Sequence, residues 1–224
     1  MNDKTKNIAF FILISIFFLI FEIIYPLLGF NYDSFSLRTK VLLMFLKYIV
    51  FLVILVIRYH KYLKEKWNDF RKNKSKYINI AFKWWSLGFV LMLIINQILD
   101  RIVKGVGANE QSVQTLLANE PVLALIATTL FAPVVEELIY RKSLQDCFNN
   151  KKLYIIISGL VFGLIHVIGS TNPLDYLFII SYGLFGACFA KIISETDNVY
   201  STIMVHMFHN GLLSLLSIVV RLLW

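Results

Sequence analysis

Three short runs in this chain carry polar side chains of a kind that can do hydrolytic chemistry. Glu136 and Glu137 stand together in Phe131-Ala-Pro-Val-Val-Glu-Glu-Leu-Ile-Tyr-Arg141, His166 closes Phe162-Gly-Leu-Ile-His166, and His206 and Asn210 bound His206-Met-Phe-His-Asn210. A carboxylate can take a proton from water and later return it, and an imidazole can help to hold that water. An imidazole and a carboxamide four residues apart share a helix face and can donate hydrogen bonds to the oxyanion formed in acyl transfer. All three runs lie within apolar stretches, where a charged side chain costs about 2.5 kcal/mol or more, so ionisable groups there are functional candidates by default.

The spacing divides the labour between them. Adjacent residues on a helix point about 100° apart, so Glu136 and Glu137 face different surroundings. Glu137 precedes Arg141 by four positions, the favourable order for an ion pair, which leaves Glu136 for a cavity. Phe162 and His166 share a face and form a pocket wall. If the helix carrying the glutamates continues to Phe148 and turns at Asn149 to Lys152, Glu136 and His166 lie equally far from Lys151 and at nearly one depth. His209 lies about 60° from His206 and is assigned to packing. Of the remaining polar residues in apolar stretches, Glu22 is assigned to a bundle interior, Lys47 and Lys83 to snorkelling, and Asn96 and Gln97 to hydrogen bonds between helices.

The elements that must position these groups are membrane helices. Of 224 residues 58% are hydrophobic and 16% charged, against about a quarter charged in soluble chains. That balance excludes a soluble enzyme, a disordered tail and a secreted disulfide scaffold. Apolar runs recur at about 8 to 30, 41 to 59, 78 to 99, 121 to 141, 153 to 168, 174 to 194 and 199 to 223, most near the ~20 residues that cross a bilayer. An all-α polytopic bundle of about seven transmembrane helices is expected, since each span must satisfy its own backbone. The first run is too long for a signal-peptide core and is expected to be retained. The net charge of +8 sits between the runs, where it sets orientation and meets lipid headgroups; no nucleic-acid partner is expected.

Basic residues crowd 60–77, which marks that connection as a cytoplasmic loop and places the amino terminus in the cytoplasm. The stretch from Asp100 to Glu120 is the expected boundary between accessory amino-terminal helices, 1–100, and a catalytic core, 121–224. Cys147 and Cys188 form no CxxC pair and suggest neither a zinc ribbon nor a redox site.

The series Glu136-Glu137-x-x-x-Arg141, Phe162-x-x-x-His166 and His206-x-x-x-Asn210, in this order on successive apolar runs, resembles the three motifs of the CPBP (CAAX protease and bacteriocin-processing, or Abi) family of intramembrane endopeptidases, which includes the type II CAAX prenyl endopeptidases. The resemblance covers roughly Pro121 to Gly211. It implies that Glu136 is the general base, that His166 helps to hold the attacking water, and that His206 and Asn210 stabilise the oxyanion, with Glu137, Arg141 and Phe162 in support. It allows either a metal-free reaction or a zinc site, for which Glu136, His166 and His206 are the available ligands, although no HExxH spacing is present.

The expected partners are a peptide or membrane-anchored protein segment as substrate and the lipid around it, in the cell membrane of a bacterium, since the chain's richness in Lys, Asn, Ile and Phe suggests an AT-rich bacterial genome. Bacteriocin-like precursors and self-immunity are functions that the resemblance points to. The sequence does not name the substrate or the oligomeric state. Two other classes compete: a non-enzymatic immunity protein that binds a peptide in the same cavity, and a proton-coupled transporter, where buried Glu and His are also expected.

Overall fold

The apolar runs fold as helices, which make their backbone bonds within the segment as a lipid environment requires. The computed structural model describes residues 2–21 and 34–223. Eight helices follow one another among them: α1 (Asp3–Ile20), α2 (Leu37–Lys72), α3 (Lys74–Val103), α4 (Ala108–Asn119), α5 (Pro121–Ser143), α6 (Lys151–Ile165), α7 (Ile179–Thr196) and α8 (Val199–Leu223). A 3-10 turn, Pro173–Phe178, leads into α7. No strand occurs among the described residues.

Five segments are long and apolar enough to cross a membrane: Leu37–Lys72, Lys74–Val103, Pro121–Ser143, Pro173–Thr196 and Val199–Leu223. The chain is therefore a helical, multi-pass membrane protein, and five of the roughly seven expected spans are long and apolar enough to cross among the described residues. The run at 153 to 168 yields only the 15 residues of α6, about 22 Å at 1.5 Å per residue, short of the roughly 30 Å of hydrocarbon. The run at 8 to 30 is described only as far as residue 21; the rest of it, with Glu22, lies outside the described residues.

The basic stretch 60–77 is helix, not the expected loop. α2 and α3 run through it and break only at Asn73, whose Nδ2 donates to Asp69 Oδ1 at 2.8 Å. Asp69 Oδ2 also accepts from Tyr77 Oη at 2.7 Å and from Asn198 Nδ2 at 3.0 Å. One carboxylate thus joins the α2–α3 junction to the turn between α7 and α8. That turn is closed by Asp197 in the left-handed region, φ 48°, with Lys66 Nζ 2.7 Å from its carboxylate. The stretch between α3 and α5 holds α4, whose first N–H, at Ala108, donates to the buried Asp175 at 3.2 Å.

α6 and α7 meet at their backbones. A Cβ added to Gly159 would stand 2.6 Å from Gly183 O, and one added to Gly163 would stand 2.6 Å from Ile179 O. Small residues four apart are the means by which membrane helices approach so closely. Phe162 sits between these glycines and packs over Gly186. The short α6 is thus fixed against α7, with His166 half-buried at its C-cap. Cys147 and Cys188 are buried and unbridged.

Candidate active site

α5 is not a uniform α-helix. π turns at Ala127–Phe131 and Leu138–Ser143 bracket a six-residue α stretch, Ala132–Glu137, that carries both glutamates. π turns widen a helix locally and recur at functional sites. Here the flanking turns set the direction in which Glu136 and Glu137 project toward α8.

Glu137 is fully buried and serves two partners. Its Oε2 is 3.5 Å from Arg141 Nε, and its Oε1 is 2.9 Å from His206 Nδ1. Arg141, also fully buried, rests its guanidinium 4.2 Å from the centre of the Phe162 ring and 5.8 Å from that of Phe189. The Glu137–Arg141 pair read from the sequence is present. The His206 bond was not foreseen, because a contact across 69 residues leaves no trace in local spacing.

Glu136 faces the other edge of the same imidazole, with Oε2 4.0 Å from His206 Nε2. Two polar atoms at that separation can each reach one oxygen atom at about 2.8 Å. Since a carboxylate accepts at Nδ1, that nitrogen bears a proton, and Nε2 is the edge presented to Glu136. His166 is held differently. Its Nδ1 lies 2.8 Å from the Phe162 carbonyl oxygen, so the N–H is spent there and Nε2 is left as an acceptor. Its ring lies between Phe162, centroids 4.3 Å apart, and Tyr182, stacked at 4.6 Å. Phe162 also flanks His206, at 6.1 Å, so both imidazoles border one aromatic ring.

Asn210 follows His206 by one turn, and its Nδ2 donates to the Thr128 carbonyl at 2.8 Å. The structure therefore brings Glu136, Glu137, Arg141, Phe162, His166 and His206 into one connected cluster, with Asn210 anchored beside it on α5. His166 and Asn210 make no direct hydrogen bond to Glu136 or to His206 among the described residues. His209 packs away from the cluster, as expected. It accepts from Trp85 Nε1 at 3.3 Å and lies 4.5 Å from the Phe185 ring and 5.6 Å from that of Phe89. Tyr182 and the Thr128 carbonyl escaped the sequence reading: neither a tyrosine in an apolar run nor a backbone oxygen has a distinguishing signal. The Gly159-x-x-x-Gly163 spacing that seats Phe162 and His166 is legible in the sequence.

Zinc needs three protein ligands about one centre with a position left open. Among the described residues no three His, Cys, Asp or Glu side chains converge closely enough to hold a metal ion. With Nδ1 of His206 engaged by Glu137 and that of His166 by a carbonyl, each ring would offer a metal only its Nε2. Glu136, His166 and His206 do not form a ligand set in this arrangement.

Residues 118–212 match the family model described as type II CAAX prenyl endopeptidase Rce1-like, and that segment contains all three motifs. The chain is 24% identical over 148 residues to the protein named "Putative membrane peptidase YdiL" of Bacillus subtilis, covering 62% of this chain and 58% of that one. It is 26% identical over 231 aligned residues to an "Uncharacterized protein" of Mycoplasma capricolum, covering 96% and 67%. It is 24% identical over 131 residues to the UPF0177 protein YvdC of Lactococcus lactis, covering 55% and 48%. The chain thus spans about half to two thirds of the length of these relatives. No solved structure matches it. These matches agree with the resemblance to the CPBP endopeptidases.

Proposed function

We propose that this protein is a membrane-embedded endopeptidase of the CPBP type, which hydrolyses a peptide bond in a peptide precursor or membrane-associated protein. The observation that carries the reading is the approach of Glu136 to within 4.0 Å of His206 Nε2, from two helices, inside an apolar bundle and beside a fully buried Glu137–Arg141 pair. A packing account would require these costly polar burials to coincide without purpose. The Rce1-like match over 118–212 supports the same reaction class.

In the proposed reaction a water oxygen lies between Glu136 and the imidazoles. Glu136 takes a proton from it as the oxygen attacks the carbonyl carbon, and His166 Nε2 accepts the water's other hydrogen and orients it. The carbonyl π electrons move to oxygen. His206 Nε2–H and an Asn210 N–H donate to that oxyanion, and their low-dielectric surroundings strengthen both bonds. The oxyanion then collapses, the C–N bond breaks, and Glu136 returns its proton to the departing amine. Water and peptide are consumed, and a carboxylic acid and an amine are formed. No step passes through a metal.

The test is purified full-length protein in liposomes, incubated with a quenched-fluorescence decapeptide library and read by mass spectrometry beside Glu136→Gln. Cleavage by the wild type alone supports the reading. Equal cleavage by both proteins would overturn the role of Glu136, and intact peptides with saturable binding would replace the enzyme with a peptide-binding protein.

A further inference from the structure

The carboxamide of Asn210 is aimed at a backbone carbonyl, that of Thr128, at 2.8 Å. Inside a helix such an oxygen is ordinarily taken by an N–H of its own chain, four residues on, or five on in a π turn. Thr128 lies in the π turn Ala127–Phe131, and the register there is explicit: the Ala132 N–H bonds to Ala127 O, five residues back. In that register the partner of Thr128 O is residue 133. Residue 133 is proline, which has no N–H to give.

A carbonyl orphaned in this way needs another donor. The Thr128 hydroxyl does not compete, because it donates to Ala124 O at 2.9 Å. α8 supplies Asn210 instead. The approach is close: a Cβ on the next residue, Gly211, would stand 3.2 Å from Thr129 Cγ2. A carboxamide is planar and carries two hydrogens on Nδ2. With one held on Thr128 O and the side chain anchored at its own Cα, rotation of the amide is restrained, and the second hydrogen is restrained with it.

We propose that Pro133 is a positioning residue: by withholding an N–H from the π turn it reserves the Thr128 carbonyl for Asn210 and so aims the second Asn210 N–H at the oxyanion. The inference rests on the hydrolase reading given above and adds what orients its oxyanion donor. Pro133 itself is buried in α5, three residues before Glu136, and contacts no reacting atom in this scheme. It acts through a backbone oxygen.

The test uses full-length protein in detergent micelles with asparagine labelled in 15N. Asn210→Ala identifies the Asn210 side-chain signals. Pro133→Ala and Pro133→Val both restore an N–H at residue 133 but differ in volume, so an effect common to both belongs to the N–H and not to packing. In the wild type one Asn210 side-chain proton should exchange with solvent at least about tenfold more slowly than the other, as a proton buried in a hydrogen bond does. Both proline variants should lose that protection. For the library peptide cleaved fastest, kcat should fall about tenfold with KM nearly constant, the mark of a misaligned group rather than lost binding. In an Asn210→Ala background Pro133→Ala should cost nothing further. Unchanged exchange in both proline variants overturns the inference, as do losses that simply add in the double variant. Wild-type cleavage by Asn210→Ala would instead withdraw the oxyanion role itself, and the exchange result would still decide whether Pro133 holds Asn210.

Discussion

His206 Nδ1 lies 2.9 Å from Glu137 Oε1, and this bond fixes which edge of the imidazole the site can use. With Nδ1–H donated to a carboxylate, Nε2 carries a proton only when the ring is an imidazolium. An oxyanion donor at Nε2 must therefore be cationic, and Glu137 is the anion that such a cation needs. The two oxygens of Glu137 are divided between Arg141, at 3.5 Å, and His206. In the proposed reaction the second glutamate of the Glu136-Glu137 pair would thus hold the His206 cation as well as form the ion pair that spacing alone assigns to it.

Replacing Glu137 by Gln keeps the size and an acceptor for Nδ1–H but removes the charge. Its kcat on a library peptide should fall about 100-fold with KM little changed, in the range expected when a proton-transfer partner is disabled. Glu136→Gln should fall further. A Glu137→Gln enzyme at full wild-type kcat would reduce Glu137 to scaffolding.

Arg141 is the cation that balances Glu137 in a fully buried setting. Arg141→Met should lower unfolding free energy by about 3–5 kcal/mol, because it leaves a buried charge unpaired. Pairing it with Glu137→Gln should recover most of that loss. Thermal unfolding in detergent measures both, and a single Arg141→Met variant as stable as wild type would contradict the pairing.

Gly163 should tolerate no side chain, since a Cβ there would lie 2.6 Å from Ile179 O. Gly163→Val should push α6 from α7, cost about 1–3 kcal/mol as overpacking does, and carry His166 out of line with a loss of cleavage. Gly169→Ala is the control, for nothing lies within 4 Å of a Cβ at that position. Melting temperature and cleavage, measured side by side, should move for the first and stay still for the second.

Cleavage in the proposed scheme is independent of metal. Exhaustive dialysis against EDTA and 1,10-phenanthroline should leave the rate unchanged, with metal content followed by mass spectrometry of the same sample. A rate that falls on chelation and returns with added zinc would require Glu136, His166 and His206 to converge in a conformation other than this one.

The helical membrane class could be read from the apolar runs, because lipid permits few alternatives to a helix. The Glu137–Arg141 contact followed from four-residue spacing, which is a local rule. The bonds from His206 to Glu137 and from Asn210 to Thr128 did not follow, as they depend on how α8 seats against α5. The run at 153 to 168 falls short of a span because hydropathy marks apolar stretches but not where a helix stops: α6 ends at Ile165, and the turns beyond it are irregular. At 60–77 the charge predicts a loop, whereas Lys and Arg are good helix formers and two long helices run through the stretch.

α6 turns Leu153, Ile156, Leu160 and Leu164 outward, so its oily flank meets acyl chains directly. An apolar helix shorter than the hydrocarbon is accommodated by local thinning of the bilayer, by snorkelling of its flanking residues or by association with neighbouring helices. His166 stands at the C-terminal end of α6. Where the bilayer thins to match that end, headgroups and solvent come nearer the imidazole, and in the proposed reaction the thickness of the host bilayer would set how readily a substrate strand and its water reach it.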